Sequence, residues 1–291
     1  MLHFGLLLSV VLFSIFSRLS AEKACEMSTI CGNAASIRSQ MIAVRVEQER
    51  HGELLDELSQ KLDTCLSKTG VETKMYGKSC AEPSILTQHS EINVIVVPEY
   101  SKHPFVVACD QLSHGGGWTI VLRRTDGSED FYRDWNDYKN GFGKLENEFF
   151  LGLDKLHAMS SAQGQELLVL LEDNGGERRY QMYDNFKIGS EQDGFALESL
   201  GNTSGNAGDA LATHLGQKFT TRDRDNDKHA ASNCAVTYSS AWWYNACHHS
   251  NLAGKYGDNT HGKGINWYQF KGHTYSLKRA QMMIRPRKQC H

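Results

Sequence analysis

The sequence has no run of lysine and arginine that could track nucleic-acid phosphates, and its formal net charge of -3 adds no general pull toward them. A nucleic-acid partner is therefore not expected. None of its eight cysteines forms a CxxC pair, which leaves zinc-ribbon and thioredoxin-like chemistry without support. No G-x-S-x-G elbow occurs, so "HGGG" at His114 to Gly117 is not read as an esterase oxyanion loop. Its glycines are read instead as letting backbone segments pass closely beside Trp118. No nucleophile–base constellation is visible: Glu172, Asp173 and Glu177 in "EDNGGERRY" read as a turn between strands. The chain is expected not to be an enzyme. There is no internal repeat, and beyond the N-terminal segment no apolar run is long enough to span a membrane.

That segment reads "MLHFGLLLSVVLFSIFSRLSAEKAC". Its apolar stretch, Phe4 to Phe16, is short for a bilayer, Arg18 follows closely, and Ser20 and Ala21 offer small residues for cleavage. A secretory signal peptide over 1–21 is the reading, with an uncleaved anchor as its rival. The mature chain is then expected to be secreted and extracellular, where an even number of cysteines suggests disulfides. Spacing alone does not fix their pairing.

A Cys-containing segment, 22–33, precedes a helix predicted over 34–66. Ile37, Met41, Val44, Leu55, Leu58, Leu62 and Cys65 fall on a and d positions of a heptad frame that Gln48 and His51 interrupt, with charged residues between. The pattern suits either a short coiled coil or a helix folded back on the main domain, and Gly52 weakens a lone helix by roughly 1 kcal/mol. Self-association is favoured because Cys25 and Cys31 precede the seam and Cys65 lies on it. Interchain bonds there would give a disulfide-linked homo-oligomer; Cys25 and Cys31 could equally close a local loop.

A linker, 67–77, leads into a domain expected over 78–288. "INVIVV", "FVVAC", "WTIVLRR" and "ELLVLLED" have strand composition, and "NEFFLGLDKLHAMS" reads as a short helix. The last ninety residues or so are rich in Gly, Asn, Asp, His, Trp and Tyr and lack periodicity, so they need disulfides or a metal to hold them. Within them "DRDNDKHAASNC", Asp223 to Cys234, sets three aspartates at alternating positions. An EF-hand is ruled out, since its glycine position is Lys228 and its closing glutamate position is Cys234. Closely spaced carboxylates still repel unless a hard cation or solvent screens them.

"FVVACDQLSHGGGWTIVLRRTDGSEDFYRDWNDYKNGFGKLENEFFLGLDKLH" closely resembles the opening half of a fibrinogen C-terminal domain. "GDALATHLGQKFTTRDRDNDKHAASNCAVTYSSAWWYNACHHSNLAGKYG" and "GINWYQFKGHTYSLKRAQMMIRP" resemble its closing half. Ficolin-like, tenascin-like, microfibril-associated and fibrinogen-like members are the nearest in wording. The resemblance implies an α+β fold: a small N-terminal subdomain, a central twisted antiparallel sheet with short helices, and a loop-rich C-terminal subdomain. It also implies disulfides Cys80–Cys109 and Cys234–Cys247, leaving Cys25, Cys31, Cys65 and Cys290 outside the pattern.

In such domains the acidic loop binds calcium. Carried over, Asp225 and Asp227 supply carboxylates and His229 and Ala231 supply carbonyls, although "KHAAS" is one residue longer than the commonest spacing. The affinity expected of a Ca2+ site with few charged ligands is on the order of 10⁻⁴ to 10⁻³ M. In lectin-like members a neighbouring pocket takes an N-acetyl group beside a cis peptide, here Ala246–Cys247. Tyr238, Trp243, Tyr244, Cys247 and His248 are the implied pocket, with Trp242 and Trp243 equally readable as core and His248 as a loop hydrogen-bonder. A fibrin-knob pocket is disfavoured, because Gly262, followed by Lys263, stands where fibrinogen chains are expected to carry aspartate. Asn202 opens "NTS", an N-glycosylation acceptor. The expected function is a secreted, oligomeric, calcium-binding recognition protein for acetylated carbohydrate, of the innate-defence type. The alternative is an extracellular protein ligand or matrix component acting by protein contact.

Overall fold

The computed structural model describes residues 76–82, 85 and 91–287. The chain divides into two units, Met1–Met75 and Tyr76–His291. The expected signal segment, the helix over 34–66, and Cys25, Cys31, Cys65 and Cys290 lie outside the described residues.

The second unit is organised by one antiparallel sheet. Strands β1 (Ile92–Ile95), β2 (Phe105–Asp110) and β3 (Trp118–Arg124) follow in chain order. The short strands β4 (Phe142–Gly143) and β5 (Phe149–Phe150) attach beside β3. β6 (Gln165–Glu172) and β7 (Arg178–Ile188) form a hairpin, with β8 (Leu197–Ser199) and β9 (Thr203–Gly205) on β7. β10 (Ser250–Asn251) and β11 (Asn266–Trp267) pair with each other in a separate two-stranded ribbon. The last strand, β12 (Arg279–Pro286), inserts between β3 and β6, so the final residues described complete the centre of the sheet. The main path is β1-β2-β3-β12-β6-β7-β8. Gly77 bridges to Ile95, which brings the end of the expected linker into the sheet.

The four apolar runs read as strands are β1, β2, β3 and β6. "NEFFLGLDKLHAMS" is corrected: Phe149 and Phe150 extend as β5, and the helix, α2 (Leu153–Ala162), starts only after Gly152. Gly152 has φ +115°, and a Cβ there would press on the Asn140 carbonyl. A helix cannot run through that position. The other helices are short: α1 (Trp135–Asn140), α3 (Cys234–Tyr238) and α4 (Tyr268–Lys271).

Disulfides join Cys80 to Cys109 and Cys234 to Cys247. The second closes a separation of 13 residues in a loop-rich region, which in the chain-entropy account contributes about 3 kcal/mol. A buried arginine ties the loops to the sheet: Arg124 Nη1 donates to the carbonyls of Leu252 (3.1 Å) and Gly254 (2.7 Å). Its guanidinium lies 3.9 Å from the Phe131 ring centroid and pairs with buried Glu148. Burial lowers the Arg124 pKa, and Glu148 opposes that shift. The Glu148 carboxylate also accepts from the amides of Thr125 and Glu129.

The glycines of "HGGG" behave as the sequence suggests. A Cβ on Gly116 would overlap the Gln111 carbonyl, and Trp118 Nε1 donates to the Ser113 carbonyl at 2.8 Å. The carboxylates of "EDNGGERRY" are all paired. Glu172 meets Arg178, Asp173 meets Lys271, and Glu177 meets Lys271 and Arg179, in the turn between β6 and β7.

Candidate functional site

The acidic loop separates its aspartates by role. Asp223 Oδ1 accepts from Trp135 N at 2.9 Å and Thr221 Oγ1 at 2.7 Å, so it fixes the start of α1. Asn226 turns inward, its Nδ2 donating to the Phe219 carbonyl. Asp225 is exposed and Asp227 half-buried. Asp225 Oδ1 accepts from Asp227 N at 3.2 Å. The two Asp227 oxygens accept from His229 N (2.8 Å) and Cys234 N (2.7 Å). Burial raises the Asp227 pKa, the Cys234 and His229 amides pull it back, and the neighbouring Asp225 carboxylate raises it again.

This donor set fits a hard divalent cation. The carboxylates repel each other, and each oxygen of Asp227 keeps a lone pair beyond its one amide. The His229 carbonyl accepts from Ser232 N at 3.4 Å, and Ala231 is exposed. Among the described residues no three His, Cys, Asp or Glu side chains are grouped to hold a metal ion. Ligation here would therefore rest on Asp225, Asp227 and backbone carbonyls.

The loop runs directly into α3. Asn233 caps it, its Oδ1 accepting from Ala235 N at 2.7 Å, and Cys234 anchors it to Cys247. The Ala246–Cys247 peptide is cis, and Lys228 N donates to the Asn245 carbonyl at 3.0 Å. Tyr238, at the other end of α3, faces a cleft of about 380 Å³ whose remaining walls are Thr213, segment 245–249, His261 and His273.

Of the five residues singled out in the sequence, Tyr238, Cys247 and His248 line this cleft. Trp243 and Tyr244 do not. Both are buried: Trp243 Nε1 donates to the Phe195 carbonyl at 2.8 Å, and Tyr244 Oη reaches Asn251 Oδ1 at 3.3 Å. They are core residues, and Tyr244 backs the wall with its ring 5.6 Å from that of His248.

His248 is 9% exposed, and both its ring nitrogens lack hydrogen-bond partners. Its ring meets Tyr238 edge-on at 4.6 Å. Burial, then His214 and His273, push its pKa down to about 3. The Asn266 carboxamide lies near enough to raise it partly, yet no bond of hydrogen-bond geometry closes between them.

Sequence reading missed His214, His249, His261 and His273. His214 is fully buried: its Nδ1 contacts the Trp243 carbonyl at 2.6 Å, and its Nε2 accepts from His249 N and Ser250 N. Those partners fix a neutral ring protonated at Nδ1, and burial pushes its pKa down to about 4. His261 and His273 are held together by a bond from Gly262 N to the His273 carbonyl. Their only sequence signal is the density of histidine in the last third of the chain.

The family profile described as Fibrinogen beta and gamma chains, C-terminal globular domain, matches residues 76–287. The chain belongs to this family. The fibrinogen-like globe domain of human ANGPTL6 superposes with a TM-score of 0.69 at 40% identity, covering 73% of this chain and 96% of that domain. Lamprey fibrin D-dimer, complexed with the peptide Gly-His-Arg-Pro-amide, gives 0.67 at 30% identity, covering 97% of this chain and 96% of that one. Chicken (Gallus gallus) tenascin is 42% identical over 229 residues, 78% of this chain. Human tenascin-R is 46% identical over 180 residues, 62% of this chain. This chain spans only 12% of that tenascin and 13% of that tenascin-R.

Asn202 sits apart from the cleft of this fibrinogen-like domain, exposed between β8 and β9. Its Nδ2 donates to Asp184 Oδ2 at 2.9 Å.

Proposed function

We propose that this fibrinogen-like domain is the recognition module of a secreted extracellular protein that acts by contact with a protein partner and without catalysis. The observation that carries the reading is the cleft beside Cys247, in a domain whose solved neighbours include a fibrin bound to a peptide. The tenascin matches support the same class of role. Asp225 and Asp227 would hold calcium, whose charge would offset their repulsion and stiffen the loop leading into α3. Oligomerisation through 34–66, with Cys25, Cys31 and Cys65 as interchain candidates, would raise avidity for a weakly held ligand.

A second reading, recognition of acetylated carbohydrate, is favoured by Tyr238, Cys247 and His248 meeting at the cleft. One comparison separates the two. The full secreted chain is passed over a decellularised matrix coat and over N-acetylglucosamine resin. Retention on the coat that free N-acetylglucosamine does not reverse supports the protein partner. Retention only on the resin, released by the free sugar, replaces it with the glycan reading.

A further inference from the structure

Resting on the protein-partner reading, we propose that the cleft beside Cys247 takes an acidic side chain of a peptide segment, not a basic one such as the peptide complexed with the lamprey fibrin neighbour. The first ground is charge. No residue lining the cleft is an aspartate, glutamate, lysine or arginine, and four are histidines: His248, His249, His261 and His273. Near neutral pH such a wall is neutral or positive, never negative. An incoming arginine finds no carboxylate there.

The second ground is unmet hydrogen bonding. Among the described residues, seven buried side-chain polar atoms lack a partner. Four of them, Thr213 Oγ1, both His248 nitrogens and His273 Nε2, belong to residues of this cleft, and Asn266 Oδ1 stands behind it. Native interiors seldom leave such groups unpaired, and their concentration marks where a ligand completes the set. Hydroxyl and imidazole N–H groups donate to a carboxylate.

The third ground is spacing. The His248 and His273 ring centroids lie 5.2 Å apart, and those of His261 and His273 lie 5.0 Å apart. Rings this close touch edge to face, so a carboxylate laid against the cluster can meet more than one imidazole. The titratable groups acting on them are chiefly each other. His214, His273 and His261 act on His248, and His261 and His249 act on His273. The phenols of Tyr238, Tyr244 and Tyr268 pack against the rings. Asp227 reaches this group only as an influence on Tyr244. An anion bound among these rings favours their protonated forms, so its binding strengthens as pH falls. Gly262 completes the picture: at φ +76°, with the Tyr238 ring where its Cβ would stand, that position has no room for an acidic side chain.

The test uses the full chain and three tetrapeptides bearing the same neutral dye: acetyl-Gly-Asp-Glu-Gly-amide, acetyl-Gly-Asn-Gln-Gly-amide and Gly-His-Arg-Pro-amide. Fluorescence anisotropy should show the acidic peptide binding at least about tenfold tighter than the other two at pH 6.0, with a smaller margin at pH 7.5. His261 is exposed, so His261→Glu should spare the fold and abolish the margin. Tighter binding of Gly-His-Arg-Pro-amide, equal binding of all three, or an unchanged margin in His261→Glu would overturn the inference. Binding of glucuronate with no binding of the acidic peptide would assign the carboxylate to a glycan and also overturn it. No binding of any peptide, with adhesion to the matrix coat intact, removes this inference and leaves the protein-partner reading standing. Loss of matrix adhesion removes that reading itself.

Discussion

Asp225→Asn and Asp227→Asn should differ in metal-free stability and agree in losing the gain from calcium. Both Asp227 oxygens accept buried-side amides, from His229 and Cys234. An asparagine there keeps one acceptor and turns an NH2 toward the other amide, an unmet bond worth about 1–3 kcal/mol. For a domain of this size that lowers the metal-free Tm by several degrees, at about 2–4 °C per kcal/mol. Asp225 holds only the Asp227 amide, which an asparagine oxygen also accepts, and its charge raises the Asp227 pKa. Asp225→Asn removes that repulsion, so its metal-free Tm should not fall. In the parent, 10 mM calcium acting on a site of 10⁻⁴ to 10⁻³ M affinity adds about 1.4–2.7 kcal/mol, roughly 3–10 °C. Both variants should lose that gain. Differential scanning calorimetry of the three proteins, in EDTA and across a calcium titration, reads each of these shifts. A variant at Asp225 that gains as much from calcium as the parent would refute the assignment of the pair as ligands.

Glu148→Gln leaves Arg124 buried without its counter-charge; urea unfolding should show a loss of about 3–5 kcal/mol, and a loss below 1 kcal/mol would mean the carbonyls of Leu252 and Gly254 suffice. The acid limb of stability should be set by His214 and His248, whose folded pKa values, about 4 and about 3, lie below the ordinary value. The unfolded chain then binds more protons below about pH 6.5, so stability is present above that value and is lost as pH falls toward 4, by up to about 1.4 kcal/mol per pH unit for each histidine. Urea midpoints between pH 7 and pH 4 measure the slope, and a flat profile would contradict it. Asn202 can carry a glycan and still donate its remaining amide hydrogen to Asp184; N-glycan release should lower the mass of the secreted chain, and Asn202→Gln should abolish the change.

The strands legible in the sequence are those whose apolar runs lie flat in the sheet. β3 is buried at every position and reads as a continuous run. β12 was not legible, although it sits at the centre. Its run "RAQMMIRP" does not alternate because both faces of this central strand are covered: Met282, Met283, Ile284 and Arg285 are all buried, the last over the Trp118 ring. The first aspartate of the acidic loop looks like its neighbours in sequence, and only the approach of Trp135, 88 residues earlier, shows that it caps α1. Trp243 and Tyr244 read as walls because aromatic residues beside a loop serve either role; burial decides for the core. His214, His261 and His273 come from separate loops with no period to connect them, so no pattern announced that they meet.

The acidic loop and the cleft share α3, and this makes the two walls of the cleft unequal. Five residues are too few to hold a helix unaided. Here the Asn233 cap, the Asp227 bond to Cys234 N and the bridge to Cys247 hold it. Tyr238, Cys247 and His248 therefore depend on the acidic loop. His261 and His273 do not: they are fixed by the Gly262 to His273 bond and by Asn251 Nδ2 on the Gly262 carbonyl. Chelation should then loosen one wall, weakening the acidic peptide several-fold. The opposite wall keeps its imidazoles, so the preference over Gly-His-Arg-Pro-amide should persist. Loss of the preference together with the affinity would show that His261 and His273 also take their positions from the acidic loop, against the bonds that hold them here.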